Sequence, residues 1–333
     1  MNRRSFLIIQ TAFIGDVVLA TALIEKLHRF YPESTIDFLL RKGNEGLLRA
    51  HPFLRDVLIW DKKNGKQKNL FDLLKKIRAN KYDVVINVQR FAATGMLTAF
   101  SGAGETIGFN KNPLSFLFSN RVRHIVSTPE RPLHEIQRNQ KLIEKLTDAL
   151  PEKPRLYPSA ADRQKAAQYK QAKYICVAPA SVWYTKQFPA EKWISFVRKV
   201  PAGIIVYLLG APGDADLCEQ IKLKSEAGER VVNLAGKLSF LESAALQEGA
   251  LMSYVNDSAP MHFASAMNAP VTAVYCSTLP SFGFGPLSDK SHIVEVKEKL
   301  PCRPCGLHGR KACPLKHFDC AMKITDDQLL DQI

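Results

Sequence analysis

No run in these 333 residues approaches the roughly 20 consecutive apolar residues that a membrane-spanning helix needs. The apolar start, SFLIIQTAFIGD, is too short for a secretory leader and lacks a small-residue cleavage site. It is broken by Gln10, Thr11, Gly15 and Asp16, so it reads as a buried strand and its exit loop. A cytoplasmic chain is expected. The dinucleotide fingerprint G-x-G-x-x-G is missing, which argues against a nicotinamide oxidoreductase. The nucleophile elbow G-x-S-x-G is missing too, which argues against a hydrolase of the Ser-His-Asp kind. There is no short-period repeat, heptad or low-complexity tract, and no nucleic-acid recognition motif or interleaving of aromatic and basic residues. Nucleic acid is therefore not an expected partner.

What remains is an ordinary globular composition, 46% hydrophobic and 23% charged, at a length that suits two domains. The net charge of +14 is uneven. Residues 1–155 hold 26 Lys and Arg against 15 Asp and Glu, and residues 156–333 hold 20 against 17. A basic first half fits an acidic partner or a solubilising surface.

Strand and helix patterns alternate. Ser5–Gln10 reads as a strand, and Asp16–Phe30 as a helix with Val17, Ala20, Leu23, Ile24 and Leu27 on one side. Thr35–Leu40, Val57–Trp60 and Val84–Val88 read as strands, and Leu70–Ala79 as a helix. The lysine-rich Asp61–Lys68 reads as a solvated loop. Pro151–Pro158, with three prolines in eight residues, is the linker candidate. The alternation then resumes: strands at Tyr174–Ala178, Ile204–Leu209, Val231–Leu234, Leu251–Val255 and Val271–Tyr275, with helices at Ala190–Lys199, from about Ala215, at Phe240–Glu248 and at Met261–Met267. This pattern predicts two open α/β units, 1–155 and 156–333, with ligands outside the carboxyl ends of parallel strands.

Four strand-to-helix turns carry polar residues. Gly15 and Asp16 follow the first strand. Gly15 would permit a tight turn, and Asp16 could act as a general base or simply cap the helix. Asp257, Ser258 and His262 surround a helix start at Pro260, where free N–H groups would attract a diphosphate. Ser181 and Lys186 lie in a loop after a strand, where a lysine could neutralise phosphate or merely be solvated. Asp214 and Asp216, after Gly210-Ala211-Pro212-Gly213, could bind ribose hydroxyls or cap a helix. Cys176, Cys218 and Cys276 read as buried small hydrophobes. Cys302, Cys305, Cys313 and Cys320 are spaced so that structural zinc is possible, with His308 and His317 as substitutes, although the second pair is wide for such a site.

Three segments, T-A-F-I-G-D-V-V-L-A-T, K-Q-F-P-A-E-K-W and N-D-S-A-P-M-H-F-A-S-A-M-N-A-P-V-T-A-V-Y, give the chain a resemblance to glycosyltransferase family nine, the ADP-heptose:lipopolysaccharide heptosyltransferases. The resemblance implies the glycosyltransferase B fold: two Rossmann-like domains facing a central cleft, the acceptor on 1–155 and the nucleotide-sugar donor on 156–333. It implies metal-independent, inverting transfer of heptose from ADP-heptose by direct displacement, with Asp16 as the base. It places Ser181, Lys186, Asp257, Ser258 and His262 at the donor, and Asp214 or Asp216 near its ribose. Ala259 and Cys276 depart from glycines common in the family. On the acceptor side, Gly15, Arg90, Lys111, Arg121 and Arg123, with Arg131, would meet carboxylate or phosphate of a Kdo-lipid A or phosphorylated core at the inner membrane's cytoplasmic face. Most of these cations lie in a stretch with no acid between Glu105 and Glu130. Phe116–Phe118 could touch lipid there or pack in the core. A different nucleotide-sugar donor, or a non-catalytic glycan- or nucleotide-binding protein, are the alternatives.

Overall fold

The computed structural model describes residues 3–333. The chain divides into two compact units. One ends at Ser127 and resumes over Leu133–Tyr157; the other takes Thr128–Pro132 and Pro158–Ile333.

The first unit is built on six parallel strands: β1 (Ser5–Ile9), β2 (Thr35–Arg41), β3 (Leu54–Trp60), β4 (Val84–Asn87), β5 (Glu105–Phe109) and β6 (Asn120–Val122). Their order is β3-β2-β1-β4-β5-β6. The second unit repeats the plan with β7 (Tyr174–Ala178), β8 (Ile205–Leu208), β9 (Val231–Asn233), β10 (Ser253–Asn256), β11 (Val271–Tyr275) and β12 (Ser291–Glu295), again all parallel. Its order, β12-β11-β10-β7-β8-β9, is the same doubly wound arrangement counted from the other edge. The strand order therefore reverses between β1 and β4 in one unit and between β7 and β10 in the other.

The strands read as unbroken apolar runs because both faces are buried. In β7, Ile175 and Val177 pack with Phe188, Trp193, Phe196 and Tyr254 on one face. Tyr174, Cys176 and Ala178 pack with Tyr207, Leu246 and Val255 on the other. Helix α1 (Ile14–Phe30) buries Val17, Ala20, Leu23, Ile24 and Leu27 as its spacing predicts. It also buries Lys26, whose ammonium meets Asp148 at 2.6 Å. The helix expected over Leu70–Ala79 begins earlier, as α2 (Lys66–Asn80).

Several elements escape the periodicity argument. Helix α3 (Ala92–Ala99) has no side-chain cap, β6 is only three residues long, and α4 (Glu135–Gln140) is a single short stretch. The proline-rich 151–158 segment is not a loose tether. Arg155 N donates to Thr21 Oγ1 at 2.9 Å, and Tyr157 OH donates to both Glu25 oxygens at 3.0 Å, so the segment lies against α1.

In the second unit the helices are α5 (Ala160–Ala167), α6 (Ala190–Lys199), α7 (Ala215–Lys224), α8 (Phe240–Glu248), α9 (Ala259–Ala266) and the short α10 (Asp319–Met322) and α11 (Asp326–Leu330). Trp193 on α6 is fully buried, edge-on to Phe188 at 5.1 Å and near Phe196 at 6.1 Å. Truncation there leaves a large void. Trp193→Ala should destabilise the second unit by about 3–5 kcal/mol, read from urea unfolding; a loss under about 1 kcal/mol would mean that the site collapses without cost.

Candidate functional site

Ligands of doubly wound sheets sit outside the carboxyl ends of the strands, where the order reverses. In the first unit those ends are the β1–α1 and β4–α3 loops. Phe13 is the N-cap of α1 and Asp16 its third residue; the Asp16 carboxylate accepts from Phe13 N at 3.1 Å. Asp16 is thus both a cap and a half-buried carboxylate at the open end of the sheet. Gly15 does not form the tight turn expected of it. It is the second residue of the helix with a negative φ, and it contributes one of the helix's first N–H groups, which have no partner inside the helix.

Neighbouring loops hold this one in place. Asn44 Nδ2 donates to Ala12 O at 3.1 Å, and Gln10 bonds Gln89 side chain to side chain. Lys62, expected to be solvated, is instead half-buried. Its ammonium donates to Thr11 O at 2.7 Å and Thr11 Oγ1 at 2.9 Å and lies 4.7 Å from the Trp60 ring centre. Burial, then Arg41 and Lys66, push its pKa down to about 8.

A cationic group reaches Asp16 through Arg138. Asn112 anchors it by donating to Gln89 O at 3.2 Å and Phe91 O at 3.0 Å, which fixes Arg90 between them and Lys111 beside them. Gly95 permits this, since a Cβ there would lie 2.2 Å from Asn112 Oδ1. His124 N donates to Asn110 Oδ1 at 3.0 Å. Burial and then Arg138, Arg90 and Lys111 lower the His124 pKa to about 4. Arg138 is itself lowered to about 10 by burial and then Arg90, while Asp16 favours its charged form. Arg90, Lys111, His124 and Arg138 therefore form one group, Asp16 acts on its Arg138, and Lys62 holds the β1 exit through Thr11. Sequence reasoning missed Lys62, His124 and Arg138 because their partners are distant in sequence and local composition carries no signal for them. Arg121 on β6 and Arg123 just beyond it are exposed and, among the described residues, form no hydrogen bond or ion pair with this group; Arg131 is exposed as well.

In the second unit the β7 exit loop and the β10–α9 turn meet. Lys186 Nζ reaches Asp257 Oδ2 at 2.6 Å, and the same oxygen accepts from Thr278 Oγ1 at 2.8 Å. Asn256, fully buried, accepts from Phe188 N at 2.9 Å and donates to Pro179 O at 2.7 Å, which locks the two loops. Ser258 is the N-cap of α9, which begins at Ala259, with Pro260 second. No side chain caps this helix, no acid lies in its first turn, and His262 is buried in it rather than on a polar side. An uncapped helix start presents free N–H groups of the kind that can hold an anion. Ser181 O accepts from Gln187 Nε2 at 2.5 Å, so its loop is part of the same turn. Asp214 acts as a cap: its Oδ2 accepts from Ala211 N at 2.8 Å, and it packs on Gly210. Asp216 lies in the first turn of α7.

The isolated cysteines Cys176, Cys218 and Cys276 are buried as expected, with thiols pushed up by burial. Cys302, Cys305, Cys313 and Cys320 line one cavity of about 240 Å³ with Thr185, Ser277 and Arg310. Burial raises the Cys320 thiol to about 12, so it is neutral at pH 7. Among the described residues no group of three or more His, Cys, Asp or Glu is disposed to hold a metal ion, so the geometry adds nothing to the zinc possibility. Also among them, no helix is long and apolar enough to cross a membrane.

The family model "Glycosyltransferase family 9 (heptosyltransferase)" matches residues 70–315. The chain is 27% identical over 281 residues to lipopolysaccharide heptosyltransferase 3 of Escherichia coli, covering 80% of this chain and 82% of that one. The solved glycosyl transferase family 9 protein of Veillonella parvula superposes with a TM-score of 0.83 at 19% identity, covering 99% of this chain and 95% of that one. E. coli ADP-heptose lps heptosyltransferase II gives 0.77 at 21% identity, covering 98% and 97%. Two Rossmann-like α/β units with a site at each reversal are those of a glycosyltransferase of the B fold. The chain belongs to glycosyltransferase family 9. Lys186, Asp257, Ser258 and His262 lie inside the matched span; Asp16 precedes it.

The lowered His124 pKa is directly measurable. Its folded value lies below the unfolded one near 6.5, so the unfolded state binds the extra proton. Stability linked to His124 should be fully present above about pH 6.5 and lost as pH falls toward 4. NMR titration of the folded protein should show no His124 inflection above pH 5; one near 6.5 would show that the imidazole is solvated.

Proposed function

We propose that this chain moves a heptose from ADP-heptose to an anionic lipopolysaccharide core acceptor, with inversion and with Asp16 as general base. The observation that carries this reading is a carboxylate at the open end of β1 that acts on Arg138, a member of a cationic group with Arg90, Lys111 and His124. The cations would hold the acceptor's carboxylate or phosphate, and Asp16 would take the proton of the attacking hydroxyl. Heptose and its ADP carrier are taken from what the family's description and the relatives' names say of those proteins.

The displacement is a single step. The acceptor oxygen bonds the anomeric carbon as its bond to the diphosphate oxygen breaks, and the proton passes to Asp16. One displacement inverts the configuration. Negative charge grows on the leaving diphosphate. Lys186 and the first N–H groups of α9 supply the compensating positive charge, so no metal enters the step. The Lys186–Asp257 pair then exchanges part of its internal contact for the phosphate.

Asp16→Asn should lower kcat by about 10²–10⁴-fold while leaving the Kd for ADP unchanged. A variant with wild-type kcat would remove Asp16 from the chemistry. Proton NMR of the product should show the anomeric configuration opposite to the donor's, turnover should persist in EDTA, and a screen of nucleotide-sugars read by mass spectrometry should select ADP-heptose.

The exposed side chains of the acid-free stretch fit a lipid-anchored acceptor. Phe116 is 67% and Leu117 46% exposed, whereas Phe118 is 7% exposed and packs under Gly108. With Lys111, Arg121 and Arg123 nearby in sequence, this loop suits an anionic membrane surface. The full chain should sediment with phosphatidylglycerol vesicles and less with phosphatidylcholine vesicles, and Phe116→Ser with Leu117→Ser should weaken the former; equal sedimentation of both forms would assign the loop no such role.

A further inference from the structure

The chemistry proposed for the second unit uses Lys186, Asp257 and the start of α9. None of these accounts for why the chain returns, in its last 35 residues, to the same place. It does so through a dense set of polar contacts. Arg303 is nearly buried, and its guanidinium gathers the exit of β11: Nε donates to Cys276 O at 2.7 Å, and Nη2 to Thr278 O at 2.8 Å and Tyr275 O at 3.2 Å. Glu295 on β12 pairs with it at 2.6 Å. Two residues on, Cys305 N donates to Ser277 O at 2.9 Å. Five further on, Arg310 and Thr185 exchange bonds: Arg310 N to Thr185 Oγ1 at 2.7 Å, and Thr185 N to Arg310 O at 3.1 Å. Gly309 allows this approach; its φ is +76°, and a Cβ there would lie 3.0 Å from Thr185 Oγ1. Ser277 closes the circuit, with its N donating to Thr185 O at 3.2 Å and its Oγ to Thr185 Oγ1 at 2.9 Å.

The residues so held are the immediate neighbours of the phosphate-facing pair. Thr185 precedes Lys186. Thr278 follows Ser277 and donates to Asp257, which receives Lys186. Thr185, Ser277 and Thr278 are all buried, so their positions are set by these bonds and not by solvent. The carbonyls at the end of a strand have no ladder partner, and a planar guanidinium with five N–H donors can take several at once. A lysine cannot.

We propose that the cysteine-rich segment 301–313 is a clamp that sets the donor-phosphate turn, with Arg303 as its positioning residue and Thr185 as the joint through which it reaches Lys186. The proposal rests on the reading of that turn as the donor site. The clamp makes no contact with substrate in this scheme. It fixes the reach of Lys186 and Asp257, so its loss should weaken nucleotide binding and leave the acceptor side untouched.

The test uses the full chain and ADP as the probe, with titration calorimetry for Kd, steady-state kinetics for the two KM values, and thermal unfolding to confirm folding. Wild type binds ADP. Arg303→Ala, and Thr185→Val as the smaller change, should each raise the ADP Kd and the donor KM about ten-fold or more, with the acceptor KM unchanged. Arg303→Lys should recover only part of the loss. Arg163→Ala, which removes the Arg163–Glu248 pair between α5 and α8 of the same unit, should leave the ADP Kd at the wild-type value. If Arg303→Ala does not fold, Thr185→Val decides. A folded variant that binds ADP within two-fold of wild type overturns the clamp while the donor reading stands. Wild type that does not bind ADP overturns the donor reading, and the clamp with it.

Discussion

A parallel sheet covered by helices on both faces leaves polar chemistry only at its strand ends. The central strands are buried from end to end, from Phe6–Ile9 to Val271–Tyr275, while Asp37 within β2 is a buried charge met by Arg55 and Tyr82. Where the order reverses, the loops leaving adjacent strands diverge to opposite faces and a gap opens between them. Each unit fills its gap in its own way. At β1 and β4 a carboxylate stands among cations held in place by Asn112. At β7 and β10 a lysine and an aspartate already satisfy each other, and Asn256 ties their loops together. In both, a buried asparagine ties its own segment to the loop leaving a neighbouring strand, because its amide offers both donors and an acceptor: Asn112 donates to Gln89 O and Phe91 O, and Asn256 both donates to and accepts from the β7 exit.

The cations of the first unit are held at a cost. Lys62, His124 and Arg138 all have their charged forms disfavoured, first by burial and then by neighbouring cations: Arg41 and Lys66 at Lys62, Arg138, Arg90 and Lys111 at His124, and Arg90 at Arg138. Such a group is preorganised for an anion. It has already lost its water, it repels itself when empty, and the gain on binding a carboxylate or phosphate is correspondingly larger than at a solvated lysine. Asp16 gives part of that compensation in the free protein through its effect on Arg138. The acceptor's negative charge would supply the rest.

The sheets were legible because the central parallel strands are continuous apolar runs, and α1 because Val17, Ala20, Leu23, Ile24 and Leu27 recur at helical spacing, although it buries all of 17–24. The turn Asp257–His262 was legible through Ser258 and Pro260, whose types mark a helix start. Three things were not. Gly15 looked like a turn glycine because the helix was expected to begin at Asp16, and two residues of shift changed its role. Lys62 sits in a lysine-rich stretch whose composition says solvent; only Thr11 and Trp60, distant in sequence, show that it turns inward. Arg303 was hidden between two cysteines that drew attention to metal binding, while its partners are backbone carbonyls, which carry no side-chain signal at all.

The tail's return to the strand ends has a bearing on synthesis. Chains emerge amino end first, and units fold as they become complete. All strands of the first sheet lie before residue 123, so that unit can assemble early. The second cannot. Gly309 and Arg310 must reach Thr185, Asp326 must reach Ser195 and Lys199, and Leu329 must accept from Tyr254. These contacts span about 75 to 130 residues and close slowly. A nascent chain stalled before its last thirty residues would carry a finished first unit and an unlatched second one, so the strand-end turn around Lys186 and Asp257 is completed last in the life of the molecule.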